Sequence, residues 1–497
     1  MEIFRHDSGI TVYLPCLIIL YICSFVTVFH ILLNMKDETE RAKLWLLFVL
    51  SFPGLGVLLY LCCGLNRRDT LGHRVKHIGG QMETAKDPAL QNLLAKRNMD
   101  ISKFHAKDAA AEPYRIMLDR QFPTQPPLTG NSAELLCDGN GAYPAMLQAI
   151  NQAKNSIHMQ SFIIANDKIG HILFNAMEKR AKEGVQVRVI YDSFGSFGAM
   201  TGHFFRRYSN KTPNMEIRAF SRTVFLAPWL NQLRNHRKLL IVDGKTAFLG
   251  GLNISADNFR FKKKKAAIHD LHCRLTGPAV SELQNIFLRD WCIARRCSVA
   301  EAFRPEHFPT PEATGNNTVR VIASGHGYDF QGSERCFYTA TATAKKSLWI
   351  CTPYFVPDSD FVTALRLAAR RGVDVRILLP KHNNHWFMRM ASQNLYEPLC
   401  QDGIRILERK GIFSHAKVML VDGIWCMFGS SNCDVRSFRL NYELDLAITG
   451  GDFIEQLHLQ LIQEMNQAEE IHLADIAAQS AMHRLAQSFC ALFTPIL

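Results

Sequence analysis

The 497-residue sequence predicts a membrane-anchored α/β protein whose soluble body is duplicated. Three observations carry that reading. Two long uncharged apolar runs lie near the N-terminus, strand–helix–strand patterning occurs twice, and a short motif recurs at one fixed offset. Composition sets the limits. Apolar residues make up 47% and charged residues 21%, an ordinary globular balance that excludes a largely disordered chain. At about 150 residues per domain, the length suggests about three units. A mean hydropathy near zero excludes a polytopic membrane protein while leaving room for a short membrane segment.

The apolar runs come first. Residues 11–33 and 44–65 contain no charged side chain. Each reaches the ~20 residues that a helix needs to cross ~30 Å of hydrocarbon. Pro15 in the first run, and Pro53-Gly54 with Gly56 in the second, are breakers that a spanning helix tolerates better than a soluble one. A cleaved signal peptide fits poorly, because the first run is too long and a second follows at once. The expectation is a hairpin of two transmembrane helices within residues 1–66. Lys36, Arg41 and Lys43 lie in the link, and Arg67, Arg68, Arg74 and Lys76 follow the second run. Four against three favours a cytoplasmic body.

Residues 67–120 are polar, with few apolar periodicities, and read as a juxtamembrane connector. A turn-rich stretch from Phe122 to Asn131 opens the globular part. Then come an apolar strand at 156–165, a helical pattern at 169–182 and a strand at 185–191, the grammar of a βαβ unit on a parallel or mixed sheet. The same order returns at 347–354, 361–371 and 373–379. Gly184-Val-Gln-Val-Arg and Gly372-Val-Asp-Val-Arg are nearly one pentapeptide. The repeat spans a whole domain, which divides the body into residues 121–305 and 306–497.

A second echo carries the chemistry. Asn235-His-Arg-Lys-Leu-Leu-Ile-Val-Asp-Gly244 is followed by Gly250-Gly-Leu-Asn253, and Ser414-His-Ala-Lys-Val-Met-Leu-Val-Asp-Gly423 by Gly429-Ser-Ser-Asn432. His236, Lys238, Asp243 and Asn253 map onto His415, Lys417, Asp422 and Asn432 at one offset, 415 − 236 = 179. Each block reads as a β-hairpin turning at Asp-Gly. Residues two apart on a strand share a face, so each imidazole stands beside an ammonium. If the two sets meet in one cleft, they form an anion site with a nucleophile and a proton donor. Phosphodiester exchange asks for that combination: one neutral imidazole attacks phosphorus and the other, protonated, donates to the leaving alkoxide. The lysines, Asn253 and Asn432, with Ser430 beside the second asparagine, are candidates to hold the phosphoryl oxygens. Asp243 and Asp422 complete the motif as candidate catalytic residues, but an Asp before Gly in a hairpin commonly serves the turn, and that role is favoured.

HxKxxxxD followed by GxxN or GSxN, present twice, resembles the signature of the phospholipase D superfamily. Asp192-Ser-Phe-Gly-Ser196, Thr352-Pro-Tyr-Phe-Val-Pro357, Arg436-Ser-Phe-Arg-Leu-Asn-Tyr-Glu443 and the N-terminal apolar pair extend the resemblance to the bacterial cardiolipin synthase family over essentially the whole chain. The resemblance implies two pseudo-symmetric phospholipase D-like domains with mixed β-sheets flanked by helices. It places the active site at their interface. It further implies a phosphatidyl-enzyme on His236, proton transfer by His415, phosphatidylglycerol as substrate, and no metal or cofactor. Family members pair each histidine with an acidic residue, and Asp270 and Glu443 match those places by context. Two departures concern the acceptor side: Gly325-His326-Gly327 and Asn384 replace residues usual in relatives, and His326 reads as a solvated loop residue.

The net charge of +12 suits an anionic lipid surface, with Lys262 to Lys265, Arg206-Arg207 and Arg370-Arg371 as the basic clusters. Trp229 and Trp386-Phe387 are candidates to enter the membrane interface. Basic charge also suggests nucleic acid, but no reader motif accompanies it and none is expected as a partner. The implied location is the bacterial inner membrane; the oligomeric state is left open. Fourteen cysteines form no CxxC pair and no cluster with zinc-ligand spacing, and Cys137, Cys336 and Cys351 read as small buried apolar residues.

Overall fold

The computed structural model describes residues 8–35, 39–64, 68–106, 112–209, 212–221, 233–259, 268–329 and 331–494. Lys36, Arg67, Trp229, the basic run from Lys262 to Lys265 and residues 495–497 lie outside them. The chain divides into an N-terminal unit, residues 1–69, and a body.

In the N-terminal unit, α1 (Ser8–Asn34) contains one segment, Pro15–Asn34, long and apolar enough to cross a membrane. Leu17, Ile18, Phe25, Val26 and Phe29 lie on its exposed surface. The second apolar run differs from expectation: it is not one helix. It forms α2 (Thr39–Ser51), breaks at Phe52-Pro53-Gly54, and resumes as α3 (Leu55–Leu59) and a π-helical turn, Tyr60–Gly64. Proline lacks the N–H of the helix ladder and clashes with the preceding turn. Gly54 then takes φ 87°, where a side chain would be strained. α3 also packs so closely on α2 that a Cβ at Gly56 would lie 2.3 Å from the Phe48 carbonyl oxygen. Ile31, Trp45, Val49 and Tyr60 form a small core, with the Tyr60 hydroxyl 2.8 Å from His30 Nδ1.

The expected connector is instead part of the body. It folds as α4 (Arg68–Glu83), α5 (Pro88–Ser102) and α6 (Pro113–Gln121). Val75, Ile78, Leu90, Leu94 and Ile101 enter the main hydrophobic core, and Leu118 enters a second. Arg97 on α5 pairs with Glu282 at 2.7 Å.

The first half supplies β1 (Leu128–Cys137), β2 (Ser156–Ser161), β3 (Gln186–Tyr191), β4 (Met215–Ala219), β5 (Leu239–Val242), β6 (Thr246–Gly250) and β7 (Leu271–Thr276). The second supplies β8 (Asn317–Ser324), β9 (Ser347–Cys351), β10 (Phe355–Val356), β11 (Asp374–Pro380), β12 (Arg405–Arg409) and β13 (Val418–Val421). After these come β14 (Trp425–Gly429), β15 (Cys433–Asp434), β16 (Glu443–Thr449) and β17 (Ala468–Ile471). Outward from the centre the order is β1-β7-β6-β5-β2-β3-β4 on one side and β8-β16-β14-β13-β9-β11-β12 on the other. The two series correspond strand for strand. β1 and β8 join them antiparallel, with Leu128 opposite Val319 and Asn131 opposite Asn317, so the halves share one mixed sheet. β17 extends the second half at its outer edge. β2, β3 and β4 run parallel, as do β9, β11 and β12.

The repeated pentapeptide has a local cause. Gly184 (φ 98°) and Gly372 (φ 90°) each stop a helix in the left-handed region, after which Val185 and Val373 lead into β3 and β11. One core runs under the central seam, drawing Leu239, Leu249 and Phe287 from the first half and Val418, Phe428 and Leu457 from the second.

Candidate active site

Each motif sits where its hairpin begins. Residues 234–236 run beside Tyr442: the His236 N–H donates to the Tyr442 carbonyl at 2.9 Å, and the Tyr442 N–H to the Arg234 carbonyl at 2.8 Å. The other half repeats this. His415 N–H donates to the His269 carbonyl at 2.7 Å, and His269 N–H to the Phe413 carbonyl at 3.0 Å. Each motif is therefore stitched to the segment that enters the other half's last central strand, β16 or β7. Successive side chains alternate faces on an extended segment, so the residue after each bridge turns toward the opposite motif.

The result is a crossed pairing. Glu443 of the second half places both carboxylate oxygens 3.0 Å from His236 Nδ1, and Asp270 of the first half places Oδ2 2.8 Å from His415 Nδ1. Both carboxylates are buried and independently held. Glu443 accepts from Ser437 Oγ at 2.9 Å, from Asn441 Nδ2 at 3.1 Å and from the Ser430 hydroxyl. Asp270 accepts from Leu271 N–H at 2.8 Å. The halves depart from symmetry here for a steric reason. A Cβ at Gly251 would lie 2.0 Å from Asp270 Oδ1, so the shorter acid takes the space that Ser430 fills beside the longer one.

The lysines fold back toward the same place. Lys238 Nζ donates to the His236 carbonyl at 2.6 Å, and Lys417 Nζ to the His415 carbonyl. Both are buried, and burial lowers Lys238 to about 7 and Lys417 to about 8. The six groups also feel one another across the seam. Burial, then the charges of Lys238 and Lys417, hold His236 well below the ordinary imidazole value. Burial, then Lys417, lowers His415 to about 4. Burial also raises Glu443. A carboxylate at Nδ1 fixes the Nδ1–H tautomer and frees Nε2 as the lone-pair nitrogen. The cluster thus offers two neutral imidazole nucleophiles beside two lysines, with the rings of Phe162 and Tyr354 in T-shaped contact with His236 and His415, centroids 5.1 Å and 6.4 Å apart.

The asparagines lie at the next turn. Asn253 Oδ1 accepts from Ile163 N–H at 3.2 Å, which orients its amide and leaves Nδ2 as its donor. Asn432 N–H donates to Ser437 Oγ at 3.1 Å, and its side-chain Oδ1 is buried without a hydrogen-bond partner among the described residues.

Asp243 and Asp422 correct their place among the catalytic candidates. Both have positive φ, 53° and 54°, at the hairpin turns. Asp243 accepts from the N–H groups of Lys154, Asn155 and Ser156 at 2.8, 2.7 and 2.9 Å, and Asp422 from those of Lys346 and Ser347 at 2.7 and 2.9 Å. Their carboxylates clamp the starts of β2 and β9 and do not touch the imidazoles. Asp243→Ala should therefore lower stability by about 2–3 kcal/mol, through orphaned amides and a strained left-handed alanine. Thermal unfolding checks this, with activity per folded molecule retained.

Arg237 and His269 support the site and escaped the sequence reading. Arg237, between His236 and Lys238, points to the opposite face and is fully buried. It pairs with Asp290 at 2.6 Å and donates to the carbonyls of Glu443 and Ser324 at 3.0 Å each. On the other side, His269 bridges Asp138 at 2.8 Å and Glu464 at 3.0 Å. Burial opposes its charge, but these two carboxylates prevail and hold it up to about 9. Asp192 accepts from Asn235 N–H at 3.1 Å and so fixes the approach to the first motif. His326 is buried rather than solvated: its carbonyl accepts from the Tyr442 hydroxyl at 3.0 Å. Asn384 accepts from the Tyr354 hydroxyl at 2.8 Å.

The neutral histidines set a pH dependence. An unfolded imidazole titrates near ~6.5, so below that value the unfolded chain binds protons that the folded one refuses, and stability falls with pH. For His415 the loss runs from about 6.5 to about 4 and is on the order of 3 kcal/mol. His415→Asn should reduce the drop in unfolding temperature between about pH 7 and about pH 5, measured by calorimetry.

A family model described as "Cardiolipin synthase, PLD-like domain" matches residues 146–291 and 339–467. "Cardiolipin synthase 1" of Bacillus anthracis is 32% identical over 96% of this chain and 93% of its own length. "Cardiolipin synthase" of Listeria welshimeri is 29% identical over 98% of this chain and 100% of its own. Among solved structures, the phosphatidylserine synthase of Haemophilus influenzae Rd KW20 superposes with a TM-score of 0.60 at 15% identity, covering 77% of this chain and 100% of that one, a likeness of fold.

Proposed function

The chain belongs to the cardiolipin synthase family of phospholipase D-like proteins, and from that premise we propose that it joins two phosphatidylglycerol molecules into cardiolipin and glycerol. The observation that supports this best is the crossed pairing, which holds two neutral imidazoles and two ammoniums in one buried cluster between the halves. His236 is the nucleophile. Its Nε2 attacks the phosphorus of one phosphatidylglycerol, the P–O bond to the headgroup glycerol breaks, and a phosphatidyl-histidine forms. His415 supplies the proton that the glycerol alkoxide takes. It then removes the proton from a headgroup hydroxyl of a second phosphatidylglycerol, whose oxygen attacks the phosphatidyl-histidine and releases His236 with cardiolipin.

The order of the two histidines is the one the family resemblance implies, with His236 first. Burial and the charges of Lys238 and Lys417 keep both imidazoles in the neutral form, which leaves each Nε2 lone pair free. An anionic phosphodiester offsets the charges of Lys238 and Lys417 and lets His415 hold its proton when the leaving group needs it. The lysines and the amides of Asn253 and Asn432 hold the phosphoryl oxygens as charge gathers there. Losing one such donor typically costs about 3–4 kcal/mol of barrier. Glu443 and Asp270 fix the tautomers.

The N-terminal unit anchors the body in the bacterial inner membrane: α1 crosses, the broken α2–α3 segment forms the second arm of a hairpin, and the basic residues that follow it favour the cytoplasmic side for the body. Incubating purified protein with phosphatidylglycerol tests the reaction. Cardiolipin and free glycerol in equal amounts are expected; phosphatidic acid alone would make water the acceptor and the protein a hydrolase.

A further inference from the structure

The C-terminal helix carries an apolar face that is exposed among the described residues. Along Ala481–Ala491 and the residue that follows, Met482, Leu485, Phe489 and Leu492 recur on one side and are 74%, 63%, 59% and 63% exposed. The opposite side is spoken for: Cys490 packs with Met388, Ala391 and Val356, and Ser488 Oγ meets Asn394 at 3.2 Å. The other side of the helix thus packs against the helix Trp386–Gln393, whose first residue, Trp386, is itself 68% exposed.

That second helix leads to the catalytic cluster through a chain of ring contacts. Tyr354 meets His415 at 6.4 Å and His385 at 5.7 Å; His385 meets Phe387 at 5.7 Å; Phe387 meets Trp386 at 6.2 Å. Residues 381–394 and 481–494 contain no Asp or Glu; they carry Arg484 and three histidines, beside Lys381 and Arg389, which pair with Glu469 at 2.6 Å and with Glu408 at 3.6 Å. An exposed aromatic and aliphatic face, free of carboxylates on its own two segments and linked to the site by ring contacts, has the chemistry of a helix that lies in a membrane interface.

We propose that this face, built from the C-terminal helix and Trp386, docks the body on an anionic phospholipid bilayer and brings the leaflet's headgroups to the catalytic cleft. The inference rests on the reading of the substrate as a bilayer lipid. An acyl chain cannot leave the membrane without exposing apolar surface to water, so the cleft must come to the leaflet.

The test uses full-length protein in phosphatidylglycerol vesicles, with an environment-sensitive fluorescent amino acid at position 485 or, as a control, at exposed position 182. Lipids brominated along the acyl chain should quench position 485 at least about threefold more than position 182. L485D/F489D should lower turnover of bilayer phosphatidylglycerol at least about tenfold. Turnover of a short-chain phosphatidylglycerol dispersed as monomers should be unchanged. Equal quenching at the two positions, or equal loss on both substrates, would overturn the proposal. A detergent-soluble dimer that L485D/F489D abolishes, without quenching, would give the face to a second copy of the chain. If the unaltered protein turns over neither lipid, the reading of the reaction fails, and the quenching still decides the docking.

Discussion

Replacing either His236 or His415 by Ala lowers cardiolipin formation about 10⁴-fold, since each change removes a group that bonds to a reacting atom. Both variants should fold, because a smaller neutral side chain leaves the stitched backbone of residues 234–236 and 413–415 intact. The double variant costs little more than either single one, as expected of groups that act as a unit. The two differ in what they trap. His415→Asn retains the nucleophile, so a phosphodiester with an activated leaving group, which needs no protonation, should still load the enzyme at His236. His236→Ala should not load at all. Peptide mapping of the labelled protein reads this directly, and a label on residue 415 would reverse the two roles.

The acids carry the second largest effect, on the order of 10²–10³-fold in turnover for Glu443→Gln or Asp270→Asn, because an amide can hold the neutral imidazole in the wrong tautomer and cannot balance the imidazolium. The crossed pairing makes the direction specific. Glu443→Gln disturbs His236, in the other half, and so should slow loading of the enzyme even by the activated substrate. Asp270→Asn disturbs His415 and should leave that loading near normal while slowing transfer to the second lipid. Single-turnover kinetics separate the two, and the reverse assignment would follow if each acid served the histidine of its own half.

How far the sequence reached depends on the kind of signal. His236, Lys238, His415 and Lys417 stood out because the duplicated hairpin repeats them at one offset, and a repeat is legible without any knowledge of space. Asp270 and Glu443 were legible as acids but not as crossed partners. They lie 270 − 236 = 34 and 443 − 415 = 28 residues past their own histidines, and no linear order tells that each strand entry is stitched to the other motif. Arg237 and His269 face away from the cleft, where a buried charge is defined only by its partners, Asp290 and Glu464.

Residues 67–120 looked like a connector because their core contacts are few and widely spaced, such as Val75, Leu90 and Ile101, among many polar residues. Three short helices can dock through such sparse contacts when the body supplies the remaining surface. Pro53-Gly54 was visible as a breaker; that it ends α2 outright follows from the positive φ of Gly54 and the tight packing of Gly56 on α2, which neither run's hydropathy records.

One measurement bears on the whole mechanism. Vanadate mimics a five-coordinate phosphoryl group, so a crystal structure of the protein soaked with it should place one ion between the halves, with Nε2 of His236 and Nε2 of His415 on opposite sides, each within about 3 Å of the ion or its axial oxygen. An ion held by one imidazole alone, with the other too far away to reach it, would contradict the two-histidine transfer.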